Sequence, residues 1–188
     1  RSLMLSLLEV GPNLPEIARQ ATEAWVCAGE RLRSWPIEAP PAGLSTLEQN
    51  LWQESMAVLR MGQVRAPDKG DGQILASLPP GMWNISWVRD MAYATIALAQ
   101  SGHHAEAKRA IEFQLGADSG KYQDYVGQPY RISITRYFGD GVEETDSNEN
   151  GPNIEFDGFG LFLWTVHEYI QRSGDDASLT AWWPAVSG

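Results

Sequence analysis

A chain of 188 residues is the size of one ordinary domain, and a content of 43% apolar and 20% charged residues is that of a folded globular protein rather than a disordered one. With 24 Asp and Glu against 14 Lys and Arg, the formal charge of −10 at pH 7 argues against nucleic acid or an anionic membrane as partner and leaves neutral and cationic ligands open. The single cysteine, Cys27, excludes an internal disulfide and does not indicate a redox compartment.

The Leu-rich start (Leu3, Leu5, Leu7, Leu8) is broken by Glu9, Gly11 and Pro12, too soon for a membrane span, and it lacks a signal-peptide cleavage pattern. An Arg rather than a Met at position 1 sets the expectation of a processed or excised chain. Residues 13–35 read as a helix, with Pro15 suited to a first turn and Ile17, Ala18, Ala21, Ala24, Trp25 and Ala28 at helical spacing. The stretch from Trp35-Pro36 to Pro40-Pro41 ends it. Residues 1–44 are thus expected to be a linker helix and a Pro-rich connection, with the main domain over 45–188.

A second helix begins at Ser45 or Thr46, where Thr46 and Gln49 resemble a capping box, and carries Leu47, Leu51, Val58 and Leu59 as its apolar stripe, with Trp52 and Met56 beside it. A Gly- and Pro-rich loop over 62–82 leads to a helix over 87–101 that is apolar on nearly every face and ends at Ser101-Gly102. The next helix, over 104–116, is amphipathic, with Ala107, Ala110, Ile111, Phe113 and Leu115 opposed to Glu106, Lys108, Arg109 and Glu112. Residues 118–153 are polar, with strand-like stretches such as Tyr130 to Ile134. A second all-round apolar helix follows over 158–172, closed by Gly174, and Asp175-Asp176 opens a last helix that stops at Trp183-Pro184.

Buried helices (87–101 and 158–172) therefore alternate with amphipathic ones (46–61 and 104–116). An inner ring of helices wrapped by an outer ring accounts for this better than a plain bundle, in which every helix is amphipathic. Both apolar helices carry an acid at the N-terminal end, Asp90 and Asp157, after a long loop, which predicts a shared mouth. Arg89 and Asp90 open an apolar helix beside Trp83, Trp87 and Tyr93. A guanidinium and a carboxylate next to flat rings suit a neutral, hydroxyl-rich ring such as a sugar, because each charged group holds two neighbouring hydroxyls while rings pack on C–H faces. The same residues also permit a plain Arg89–Asp90 ion pair, with Asp90 stabilising the helix N-terminus.

Gln73-Ile74-Leu75-Ala76-Ser77 followed by Trp87-Val88-Arg89-Asp90 resembles the segment of family 15 glycoside hydrolases, the glucoamylase family, that ends in Trp-x-Arg-Asp. Leu98 to Ala107 is similar to that family's continuation into its next outer helix. Asn150-Gly151-Pro152-Asn153-Ile154-Glu155-Phe156-Asp157-Gly158 is similar to its second motif, a Pro-containing loop ending in Asp-Gly. The resemblance runs in consistent order over residues 45–183. It implies an all-α fold, a partial (α/α)6 double-ring toroid of which this chain holds the first four or five helices, with long loops before the inner ones. It further implies an inverting, exo-acting α-glucoside hydrolase that releases glucose from starch-like or related oligosaccharides. Arg89 and Asp90 would hold hydroxyls of the terminal glucose, Trp87 would be its aromatic neighbour, and Asp157 would line or support the pocket rim. Asp157 also reads as a plain helix N-cap before Gly158.

Inverting hydrolysis needs one carboxylic acid and one carboxylate. In the family both follow the motif matched by Asp157. Only 31 residues lie beyond it here, and their one glutamate, Glu168, falls inside a helix. The catalytic pair is therefore expected beyond Gly188, and the apolar helices are expected to need the rest of the barrel or another chain to cover them. The alternative function is a non-catalytic carbohydrate-binding or scaffold protein built on a half-barrel. Neither a cofactor nor a metal is expected. Asp146 to Asp157 has the length of an EF-hand loop, but Pro152 and Asn153 fit its centre poorly and the final ligand is not Glu. A looser calcium module remains a third reading of this acidic loop. His103 and His104 are expected on the surface, and His167 in the core. Asn84-Ile85-Ser86 is a formal glycosylation sequon lying inside the first motif.

Overall fold

The computed structural model describes residue 35, residues 37–78 and residues 81–187. The expected helix over 13–35, Cys27 and the Leu-rich start lie outside the described residues. The chain divides at Ile37–Glu38 into two units, and the fold below is that of the second. It is mostly helical. Helices α1 (Thr46–Gly62), α2 (Val88–Gln100), α3 (His104–Gly116), α4 (Gln123–Val126), α5 (Asp157–Ser173) and α6 (Asp176–Val186) are joined by loops that carry five two-residue strands. The all-α expectation holds for the bulk of the fold and misses these strands. Strands β1 (Ser86–Trp87), β2 (Arg136–Tyr137) and β3 (Glu143–Glu144) form one antiparallel sheet in that order, and β4 (Ser147–Asn148) pairs with β5 (Gly151–Pro152). Among the described residues no helix is long and apolar enough to cross a membrane.

Local chemistry sets the helix ends. The capping box of α1 belongs to Ser45 and Glu48, one residue earlier than expected, because Glu48 reaches back to both the backbone N and the hydroxyl of Ser45 at 2.8 and 2.7 Å. At the C-terminal end of α5, Gly174 takes φ +68°, the left-handed turn that closes a helix. Helix α6 does not stop before Pro184 but continues through it to Val186. The strand-like stretch over 130–134 is not a strand. Its buried residues Ile132 to Ile134 instead lead into β2 two residues later.

The core sits where α2, α3 and α5 meet. Met91, Leu98 and Ala99 of α2 pack with Ala107, Ala110, Ile111 and Phe113 of α3 and with Phe162, Val166, Tyr169 and Ile170 of α5. Tyr137 closes the cluster with its ring edge-on to Phe113 at 5.3 Å. The two apolar helices α2 and α5 run parallel and in register. Arg89 meets Asp157 at one end, Gln100 meets Glu168 at the other, and Tyr93 meets Trp164 between them. Neither helix is buried all round: Tyr93, Leu163 and Trp164 are exposed. Most of the expected stripe of α1 is outward as well, with Leu47 77% and Leu51 62% exposed and Val58 exposed too, while Leu59 packs against the core and Met56, Arg60 and Gly62 face inward.

Asp175 joins the helices at the end far from β1. Its carboxylate accepts from Lys108 Nζ at 3.1 Å, from the Tyr169 hydroxyl at 2.7 Å and from Ser178 N at 3.0 Å. Hydrogen bonds from Ser178, Tyr169 and Lys108 hold this carboxyl far below the usual aspartate range. A depressed folded pKa gives stability that is present above the unfolded value of about 3.9 and is lost as the pH falls toward the folded value. In acid titrations followed by thermal melting, the wild type is expected to lose stability below pH 4. Asp175→Asn is expected to start lower at neutral pH and to show a flatter acid limb. Parallel acid limbs would rule out Asp175 as a contributor.

Candidate functional site

The N-terminal ends of α2 and α5 lie side by side because β1 feeds α2 directly and the loop over 153–156 feeds α5. Val88 N donates to Thr135 O at 3.0 Å, and Glu155 N donates to Ile134 O at 2.8 Å, so both helices start from the same 134–135 segment. Gly158 allows the close approach: a Cβ there would stand 3.0 Å from Val88 Cγ1.

Across this junction Arg89 grips Asp157 in a two-pronged ion pair, Nε to Oδ2 at 2.6 Å and Nη2 to Oδ1 at 3.1 Å, and Glu155 adds a third oxygen at 3.0 Å. The pair is half exposed. Its hydrogen bonds raise the Arg89 pKa further above its ordinary value and hold the Asp157 carboxyl below the usual range. The arrangement differs from both expectations. Arg89 pairs with Asp157 rather than with Asp90, because consecutive helical residues point about 100° apart. Asp157 is the first residue of α5 rather than its cap, which is Phe156.

Asp90 faces elsewhere. It lines a cavity of about 300 Å³ between α1 and α2 with Val58, Leu75, Ser77 and Tyr93, and among the described residues its carboxylate has no hydrogen-bond partner. Trp87 ends β1 and caps α2. Its ring meets the edge of Trp83 at 5.4 Å and an interplanar angle of 79°, and the Arg136 guanidinium lies 4.8 Å from its centroid. Trp83 itself is 56% exposed. The mouth expected from Asp90 and Asp157 thus holds Arg89, Asp157 and Glu155, with Asp90 turned toward the α1 side.

Two participants are not visible in the sequence. Glu155 stands two residues before Asp157, a spacing that says nothing about a shared cation. Arg136 is recognisable only from its pairing opposite Trp87 in the β1–β2 register. The acidic loop has a defined structure of its own. Residues 147–152 form the β4–β5 hairpin, Asp146 accepts from Arg136 at 2.6 and 3.1 Å, and Asp157 is held by Arg89. No group of metal-ligating side chains occurs among the described residues. Two of the three histidines are reversed: His103 is buried, with its pKa lowered by that burial, and His167 is exposed, while His104 is half-buried.

The exposed Arg–carboxylate fork offers polar groups that suit hydroxyls, and the exposed Trp83 indole, in the loop before β1, offers a flat apolar surface. Comparison with protein-family models, with curated proteins and with solved structures finds no match to this chain.

Proposed function

We propose that this chain is the N-terminal part of an inverting, exo-acting α-glucoside hydrolase of the glucoamylase kind and that it carries part of the glucose subsite. The observation that supports it most is the half-exposed Arg89–Asp157 fork where two parallel, in-register helices begin, with Trp87 two residues before Arg89 in the chain. Parallel apolar helices joined through an antiparallel amphipathic one are the unit from which an (α/α) double ring is built. The exposed Leu163, Trp164 and Trp183 would be covered by the remaining helices of such a ring or by another chain. The two carboxylates at the fork are both engaged by Arg89, so in this reading they hold the sugar and the acid and base come from segments beyond Gly188.

The test is a titration of the chain with maltose and glucose, followed by chemical-shift changes or calorimetry. Binding in the millimolar range is expected, with no release of glucose from maltose. Arg89→Ala removes the charge-assisted fork and is expected to weaken binding about tenfold or more, and Asp157→Ala comparably. Wild-type protein that ignores both sugars, or an Arg89→Ala variant that binds equally well, would end this reading.

A further inference from the structure

We propose that Arg136 is a positioning residue of this site, whose guanidinium fixes the plane of the Trp87 ring and, through it, the exposed Trp83. The proposal rests on the sugar-site reading for its consequence, but its geometry stands alone. In the three-stranded sheet Trp87 lies directly opposite Arg136, and Arg136 directly opposite Glu144. Residues paired in this way project from the same face of a sheet, so the three side chains form one row. Glu144 accepts from Arg136 Nε, and Asp146 takes both terminal nitrogens at 3.1 and 2.6 Å. Each of the three guanidinium nitrogens thereby donates to a carboxylate, and the guanidinium carbon sits 4.8 Å from the Trp87 centroid. The Arg136 side chain is only 9% exposed, whereas Asp146 is largely in solvent.

A structural ion pair explains only half of this. Two carboxylates could also pair with a lysine ammonium, but an ammonium has no plane to lay against an indole and no fork to lock its own rotation. A guanidinium clamped on its edges leaves one well-defined surface for the ring. Trp87 caps α2 with no side-chain hydrogen bond, so the Arg136 and Trp83 contacts are what orient its indole. The hydrogen bonds and ion pairs of Arg136 go to Glu144 and Asp146 and not to the Arg89–Asp157 fork, so its effect on a ligand would pass through the aromatic pair.

Two indoles this close couple their electronic transitions, and far-ultraviolet circular dichroism reads that coupling as an exciton couplet sensitive to their mutual angle. Trp83→Phe and Trp87→Phe should each abolish the couplet and so assign it. Arg136→Lys, which keeps the charge, and Asp146→Asn, which loosens the clamp at an exposed position, should reduce its amplitude by at least half while the helical signal and cooperative melting persist. Maltose affinity should fall about threefold to tenfold in both. An unchanged couplet in folded Arg136→Lys and Asp146→Asn overturns the proposal, as does a wild type without a couplet. Should Arg136→Lys fail to fold, Asp146→Asn decides. A couplet that responds as expected in a protein that binds no sugar would leave the positioning role standing and remove the sugar reading.

Discussion

Glu143→Ala is expected to destabilise the protein by about 3–5 kcal/mol, which lowers the melting temperature by about 10 °C or more. Glu143 is fully buried, and its two carboxyl oxygens accept from Ile134 N at 2.8 Å, from Lys121 N at 2.8 Å and from the Tyr130 hydroxyl at 3.0 and 3.1 Å. Truncation strands the buried Ile134 N–H and takes the acceptor from two part-buried donors, Lys121 N–H and the Tyr130 hydroxyl, and each stranded group costs about 1–3 kcal/mol. Burial already raises the Tyr130 pKa, with the neighbouring Glu143 adding to the effect, and burial pushes Tyr137 up to about 12. Glu143→Gln keeps the shape and one acceptor oxygen, so it is expected to lose about half as much. Urea melts of the two variants check the order, and equal losses would show that a single retained acceptor oxygen carries nothing. Because Glu143 is adjacent to Glu144, the alanine variant should also loosen Arg136.

Gly72→Ala is expected to cost about 2–4 kcal/mol, by a different route. Gly72 sits at φ +90°, where a side chain is strained whatever the space around it. The space is absent too: a Cβ would stand 2.2 Å from the Arg109 carbonyl oxygen. Backbone on both sides leaves no flexible atom to yield, so α3 and the loop over 63–74 must separate. That loop is tied to α3 again by Gln63, whose side-chain amide donates to Glu106 O at 2.9 Å. Hydrogen exchange should therefore show faster opening of α3 and of the Gln63–Ile74 bridge before the rest of the core. Uniform destabilisation without this local opening would contradict the clash.

What the sequence makes legible here is what depends on neighbours three or four residues away. The existence of α2, α3 and α5, the stop at Gly174 and the turn at Gly102 all follow from local rules and all occur, whereas the burial of α2 and α5 on every face does not. The strands are hidden because two residues are too few to alternate, and their pairing joins segments about 50 residues apart in the case of Trp87 and Arg136. The α1 cap is displaced because Ser45 and Thr46 are both good caps and only the position of Glu48 decides between them. Pro184 is tolerated inside α6, where sequence rules end a helix. At the site, placing Asp90 and Asp157 at helix starts is correct, but the partner of Arg89 is not legible. A guanidinium chooses among carboxylates by reach, and nothing local distinguishes its neighbour Asp90 from Asp157 and Glu155.

The register of α2 against α5 has a consequence for how the molecule comes into being. Arg89–Asp157 and Gln100–Glu168 span the same sequence separation, 68 residues, so the two helices dock as a pair of matched rods rather than by zipping outward from a turn. The α2–α3 hairpin closes a loop of three residues and can form early, while α5 must first draw together the ends of a long chain segment. The fork is therefore assembled only when α5 docks: until then, Arg89 has neither Asp157 nor Glu155. The ion pair is a mark of long-range docking, present only on chains whose two apolar helices have already met.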